Sequence, residues 1–263
     1  MEALDEATDA ALSFARRISG DDFRAVHVPA SGTDPGIRPR WYRHTGGEPP
    51  LEVLHDHGGL GETILEQVWR LPRSESDFVT VVVPEQFRDA SFSSQVRRPR
   101  ELALKFRLLA EPGVVVADVP AIPGRLRCEA KRLVVRVLVS HVNATSMRAV
   151  NYAQTLGIED TRAVHLAFSS NDANEIRRDW AEHEPGIPLE IDEAPYRDIG
   201  GPLRRYLRTL TEEEGTTVLV LMPELVTRGW RRILHNQNAL YVKRLLLFEP
   251  GVILASVPYQ ILR

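Results

Sequence analysis

The sequence predicts an α/β protein made of two tandem halves, each a doubly wound parallel sheet. Three observations carry this. LLAEPGVVVADVP, ending at Pro120, returns 138 residues later as LLFEPGVILASVP, ending at Pro258, with nine of 13 positions identical. Apolar, β-branched runs alternate with segments of helical periodicity, the pattern of βαβ units. No apolar run approaches the roughly 18 residues that a membrane span needs.

Other fragments keep the same spacing. AVHV (25–28) answers AVHL (163–166), LEVLHD (51–56) answers LEIDEA (189–194), and VVVPE (81–85) answers VLMPE (220–224) within one residue. A repeat of this length implies two equivalent units. They are 1–123 and 124–263, meeting near Pro123–Arg125.

The second half reads in order as follows. LVVRVLVS (133–140) is a continuous apolar strand, as expected where both faces are buried. A Thr145-Ser146 start opens a helix with Met147, Val150 and Ala153–Leu156 on its apolar stripe. TRAVHLAF is the second strand, and Asn171-Asp172 begins a polar helix to about Glu184. IPLEID is the third strand. Tyr196 to about Glu214 is amphipathic, with Leu203, Tyr206, Leu207 and Leu210 on one face. TTVLVLMP is a fourth strand, Asn238–Phe248 a helix and GVILASVP a fifth. Glu-Pro-Gly between the last helix and strand supplies a left-handed Gly cap, with Pro unable to continue the helix. For five strands so connected, the expected order is 3-2-1-4-5.

The first half repeats this with two differences. Met1 aligns with Val139, so the first half lacks its first strand, and we expect a chain cut a little inside that half. SGTDPGIRPRWYRHTGGEPP (31–50) stands where the second helix should be and reads as mostly loop.

Composition narrows the function. A net charge of -3 argues against a general nucleic-acid binder. One cysteine, Cys128, excludes an intrachain disulfide and suits a reducing cytoplasm. The acidic start MEALDEATDAAL lacks the order of a signal peptide. The chain reads as a cytoplasmic polypeptide without a membrane span. No GxSxG, GxxxxGK[ST] or HExxH occurs, so no catalytic residue and no cofactor is assigned and an enzyme is not expected. HDHGG (55–59) offers two His around an Asp but no third ligand at recognisable spacing, and no metal site is expected.

A ligand is expected beyond the carboxyl ends of the strands, where strand order reverses. In the second half that places Ser140, His141, Asn143 and Glu224 together with Arg231, Arg232, His235, Asn236 and Gln237. Arg holds phosphate bidentately, and Asn and Gln read a base edge. The same His-Asn-Gln run also serves to cap the helix that follows, and both readings stay open. The matching first-half residues are Arg97, Arg98 and Arg100.

With these motifs the chain resembles tandem universal stress protein domains. More closely, PYRDIGGPL (195–203), VLMPELVTRGWRRILHNQNALYVKRLLLF (220–248) and PGVILASVPYQI (250–261) resemble the cytoplasmic C-terminal region of permeases of the amino acid–polyamine–organocation superfamily. The resemblance is specific over 185–263 and reaches the rest through the repeat. It implies a transmembrane permease part of the same polypeptide as partner, transport of amino acids or cations by the whole, and a regulatory role here. Some potassium importers of that superfamily are inhibited through such a domain by cyclic di-AMP, so a nucleotide of that kind is the implied ligand. Two halves facing each other would suit a dinucleotide. The glycines of the ATP-binding universal stress proteins are absent from ELVTRGWRRILHNQ and EQFRDASFSSQV, which weighs against a freestanding ATP-binding protein. A dimerisation module is the remaining alternative. Universal stress protein domains pair through their last strand, which makes self-association through GVVVADVP and GVILASVP an expectation, within the chain or between chains.

Overall fold

The computed structural model describes residues 4–29, 34–56, 58–74, 76–86, 99–121, 131–194, 198–226 and 237–261. In chain order the elements are α1 (Glu6–Ser19), β1 (Ala25–His27), α2 (Ile37–Thr45), β2 (Leu51–Val53), α3 (Leu60–Arg70), β3 (Val79–Gln86), α4 (Pro99–Leu109) and β4 (Val114–Ala121). The second half follows with β5 (Arg132–Leu138), α5 (Ala144–Thr155), β6 (Thr161–Ala167), α6 (Ser170–His183), β7 (Leu189–Glu193), α7 (Gly200–Thr211), β8 (Thr216–Val226), α8 (Gln237–Leu247) and β9 (Val252–Gln260).

Seven strands form one mixed sheet in the order β3-β4-β9-β8-β5-β6-β7. Counted within the second half, its five strands lie third, second, first, fourth, fifth, and every pair among them is parallel. β1 and β2 make a separate two-stranded parallel sheet.

The halves join through their last strands, inside the chain. β4 and β9 pair antiparallel, with Val116 opposite Ser256, Ala117 opposite Ala255 and Asp118 opposite Leu254. Ala117 and Ala255 are repeat equivalents, 138 apart, so a residue meets its own counterpart at the centre of the pair. This is the signature of a two-fold relation between like units. β4 lies between β3 and β9, and β9 between β4 and β8. Of the two expected alternatives, pairing of the last strands within the chain or between chains, the sheet takes the first.

Strand alternation feeds cores on both faces of the sheet. Val115, Ala117, Val119, Val135, Val137, Leu219, Leu221, Ile253 and Ala255 pack under α1, α5 and α6, through Phe14, Ala149, Tyr152, Ala153 and Ile176. Val134, Val218, Val220, Val252 and Leu254 face α7 and α8 through Leu203, Leu207, Val242 and Leu246. Val114 and Val116 meet α3 and α4 through Leu65, Val68, Leu104 and Leu108. The first of these cores draws on both halves, so each half stabilises the other. Fully apolar strands are what a sheet covered on both faces requires.

Tyr152 of α5 crosses the join to Thr80 of β3, with hydroxyl oxygens 2.8 Å apart. Burial pushes the Tyr152 phenol up to about 12, the Thr80 bond opposing. Phe78 meets the same ring edge-on at 5.1 Å between centroids. From the far end, the Gln260 amide donates to the carbonyls of Leu109 and Glu111 at 3.1 Å each.

The Glu-Pro-Gly turns do what their residues demand: Gly113 and Gly251 take φ of 74° and 76°, conformations that a side chain disfavours. The expected loop over 31–50 is corrected, because Ile37–Thr45 is helical. Pro39 falls in the first turn of α2, where the backbone N–H has no helical partner to lose. Ile37 and Trp41 are buried, and the Trp41 indole donates to the Pro49 carbonyl at 2.8 Å.

Candidate functional site

The chain leaves β5 for α5 on one face of the sheet and leaves β8 for α8 on the other. Pairing of β5 with β8 stops at Val137 and Leu221, while β8 runs on beside β9 to Val226. The carboxyl ends of β5 and β8, from which the chain goes on to helices on opposite faces, are thus the topological switch point, where a sheet of this order places its crevice.

Ser140, His141 and Asn143 form its β5 lip, all exposed. Asn143 is occupied in folding: its side chain accepts from the N–H groups of Thr145 and Ser146 at 3.0 Å each. Ser146 closes the capping box by accepting from the Asn143 N–H at 3.0 Å and donating to the His141 carbonyl at 2.8 Å. Asn143 is thus a helix cap that shapes the lip. The His141 ring projects from a fixed backbone at the N-terminus of α5.

Glu224, on the β8 lip, is buried and bound to Lys243 of α8, 2.5 Å from ammonium to carboxylate. Its charge is therefore spent on holding α8 to the sheet. Arg231, Arg232, His235 and Asn236 lie outside the described residues, as do Arg97 and Arg98. Gln237 opens α8, with its side chain outside the described residues. Arg100 stands in the first turn of α4, exposed and 4.0 Å from Asp56. Asp56 also accepts from the Gly59 N–H at 2.6 Å, which gives this carboxylate of the HDHGG stretch a turn-forming role. Among the described residues no group of three or more His, Cys, Asp or Glu is placed to hold a metal.

The first half repeats the Glu224–Lys243 arrangement with an added acid. Lys105 of α4 binds both Glu85, at the end of β3, and Asp118 of β4, the latter at 2.8 Å. One lysine thus faces two buried carboxylates. The antiparallel join has a further consequence. β3 and β8 end at opposite ends of the sheet, separated by roughly 25 Å for strands of eight residues at ~3.3 Å each. The two crevices of one chain face away from each other, so the expectation that they share one dinucleotide is corrected.

Sequence reasoning passed over two further features. Arg136, 2% exposed at the middle of β5, lies 2.9 Å from Asp160 and donates to the Tyr206 hydroxyl at 2.8 Å. Tyr206 in turn donates to Glu190, which Arg162 holds at 2.9 Å. Burial pushes the Asp160 carboxyl up, but Arg136, Arg162 and Arg132 outweigh it and hold the group below its ordinary value. Burial and the bond to Glu190 push the Tyr206 phenol well up. The available signal was a charged residue inside an otherwise apolar strand. The second feature is an open groove of about 580 Å³ between α1 and α2, lined by Asp9, Arg16, Arg17, His44 and Glu48 among others. His44 and Asp9 meet there at 2.7 Å, and Arg16 donates to the Glu48 carbonyl at 3.1 Å.

Comparison with known proteins decides the family. The family described as the KimA potassium transporter C-terminal domain matches residues 1–121 and 130–259. The chain belongs to this family. It is also 30% identical over 136 residues to the potassium transporter KimA of Bacillus subtilis (strain 168), a match that covers 50% of this chain and 22% of that transporter. The expected link to a transporter's C-terminal domain stands; both matches are to potassium transporters, and amino acid transport, one of the two expected cargoes, finds no support in them. No helix among the described residues is long and apolar enough to cross a membrane.

Proposed function

We propose that this chain is the cytoplasmic regulatory module of a potassium transporter, acting without catalysis, and that it senses a nucleotide in the β5–β8 crevice. Cyclic di-AMP is the first candidate. The observation that carries the reading is the family match over both halves, combined with a switch-point crevice at the N-terminus of α5. The N-terminus of α5 turns the positive end of its dipole to the crevice, with Asn143 already taking the Thr145 and Ser146 N–H groups, and His141 is the exposed ring beside it. The tandem arrangement supports a universal stress protein-like architecture, with the order 3-2-1-4-5 seen in the second half and two such units paired through their last strands. The transmembrane part of the same transporter is the partner this reading requires.

Calorimetric titration with cyclic di-AMP, ATP and AMP in parallel tests it. Micromolar or tighter binding of the cyclic dinucleotide, lost on H141A, is expected. Because the crevices point apart, we expect the second-half crevice to fill alone or to share a two-fold ligand with another chain. Silence from all three nucleotides on folded protein would overturn sensing and favour a purely structural module.

A further inference from the structure

We propose that the groove between α1 and α2 is a second binding site, for the phosphate monoester of a small polyhydroxylated molecule. The inference goes beyond nucleotide sensing and does not depend on it. Arg17, on the groove, donates to the Lys131 carbonyl just ahead of β5. The groove therefore lies at the amino end of that strand, a strand's length from the crevice at its carboxyl end.

The repeat separates what the fold needs here from what has been added. Phe14 of α1 and Tyr152 of α5 are equivalents at the offset of 138, both buried in the same core. Trp41 of α2 donates to the Pro49 carbonyl at 2.8 Å, as Trp180 of α6 donates to the Ile187 carbonyl at 3.1 Å. The two helix pairs thus share one framework. The residues that line the groove differ. Where α1 carries Asp9, Arg16 and Arg17, α5 carries Met147, Gln154 and Thr155. Gln154 donates to the Pro185 carbonyl at 3.0 Å, a neutral counterpart of the bond from Arg16 to the Glu48 carbonyl. Neutral side chains suffice to join the helices of this framework, so the charges on α1 are an addition of the first half.

Those charges are oriented but not neutralised. Arg16 and Arg17 each donate to one backbone carbonyl, at 3.1 and 2.7 Å, and neither forms an ion pair among the described residues. A guanidinium carries five N–H donors in a planar fork, so most of each fork stays open. Asp9 is taken by His44 at 2.7 Å, and the Thr45 hydroxyl by the Trp41 carbonyl at 3.0 Å. The Glu48 carboxylate and the Ser13 hydroxyl have no bond among the described residues.

This inventory selects the ligand. Two guanidiniums without a carboxylate call for an oxyanion, and a dianionic phosphate matches their forks better than a single carboxylate does. Glu48 is an acceptor only, so it calls for a hydroxyl donor, and Ser13 takes or gives a further bond. A volume of about 580 Å³ falls within the roughly 300–1,000 Å³ of small-molecule sites. Asp9 and Glu48 in the same groove disfavour an anionic bilayer surface, which leaves a soluble molecule as the source of the phosphate. Through Arg17, an occupied groove bears on the first half and on the start of the second together.

Calorimetric titration of the 263-residue chain at low ionic strength, with glucose 6-phosphate, inorganic phosphate and glucose as probes, tests the proposal. Glucose 6-phosphate should bind at least about tenfold more tightly than inorganic phosphate, and glucose should be silent. R16Q combined with R17Q should weaken both phosphate probes by at least about tenfold. The urea midpoint should stay where it is, because both side chains are exposed. E48Q should erase the preference for glucose 6-phosphate and keep the binding of inorganic phosphate. Silence from both phosphate probes on folded protein would overturn the proposal, as would binding that R16Q/R17Q leaves intact. Cosedimentation with vesicles of phosphatidic acid in phosphatidylcholine covers the other source of a phosphate monoester. Vesicle binding lost in R16Q/R17Q, with glucose 6-phosphate silent, would overturn the soluble ligand.

Discussion

The two halves carry the same residues at the same spacing, and one satisfies them where the other does not. In the second half, Arg136 draws Asp160, Glu190 and Tyr206 around a central strand, and His165 meets a strand carbonyl. In the first half, the equivalent Asp22 and Glu52 face solvent, and His27 is buried without a hydrogen-bond partner among the described residues. In the second half these groups are satisfied by β5, through Arg136 and the Val139 carbonyl that follows it. The same residue types at the same spacing therefore do different work in the two halves, and a repeat in sequence is not by itself a repeat in contacts.

The largest expected effect separates the two networks directly. R136M should destabilise the chain by about 3 kcal/mol, because it removes the bonds of a buried guanidinium to Asp160, Tyr206 and two backbone carbonyls, while Arg132 and Arg162 keep the acids paired. D22N and E52Q, at the equivalent first-half positions, should each change stability by less than about 0.5 kcal/mol. Urea denaturation of the three variants checks this. A small loss in R136M would mean that the network contributes little to the second half.

The lysine pairs give a smaller contrast. K243M leaves Glu224 alone under α8, while K105M leaves Glu85 and Asp118 together under α4. A cation removed from two buried acids leaves the larger uncompensated charge. K105M should therefore cost about 3 kcal/mol and K243M about 2 kcal/mol. Thermal melts at neutral pH measure both. A K105M deficit no larger than that of K243M would mean that the second buried acid adds nothing to the requirement for a lysine.

How much of this was legible depends on whether a signal is local. Glu-Pro-Gly and the apolar strands are local, and Gly113, Gly251, β5 and β9 stand where the sequence puts them. The pairing of GVVVADVP with GVILASVP was readable as a possibility, but its location inside the chain needed three-dimensional register. Pro39 was misread because a proline signals a helix break only beyond the first turn. Asn143 and Glu224 show the limit at the site. An Asn at a strand end looks alike as ligand contact or cap, and the Asn-x-x-Ser spacing was the clue to the cap. The partner of Glu224 is Lys243, 19 residues on, beyond the reach of any local pattern. The arginines and His235 expected to complete the crevice lie outside the described residues.

The smallest effect is the pH dependence contributed by His27. Burial lowers its pKa from the ordinary 6.5, so the unfolded chain takes up the proton first as pH falls. The neutral ring therefore costs nothing extra above 6.5. Stability declines as pH drops from 6.5 toward the lowered folded value, and the contribution is constant below it. Burial is the largest cause of the shift, with the Asp34 carboxylate raising the value and the Arg40 guanidinium lowering it by less. H27F should flatten the decline between pH 6.5 and 5, read as the difference in denaturation midpoint from the unsubstituted chain. A slope that H27F left unchanged would mean that the buried imidazole of the first half contributes nothing to the pH dependence.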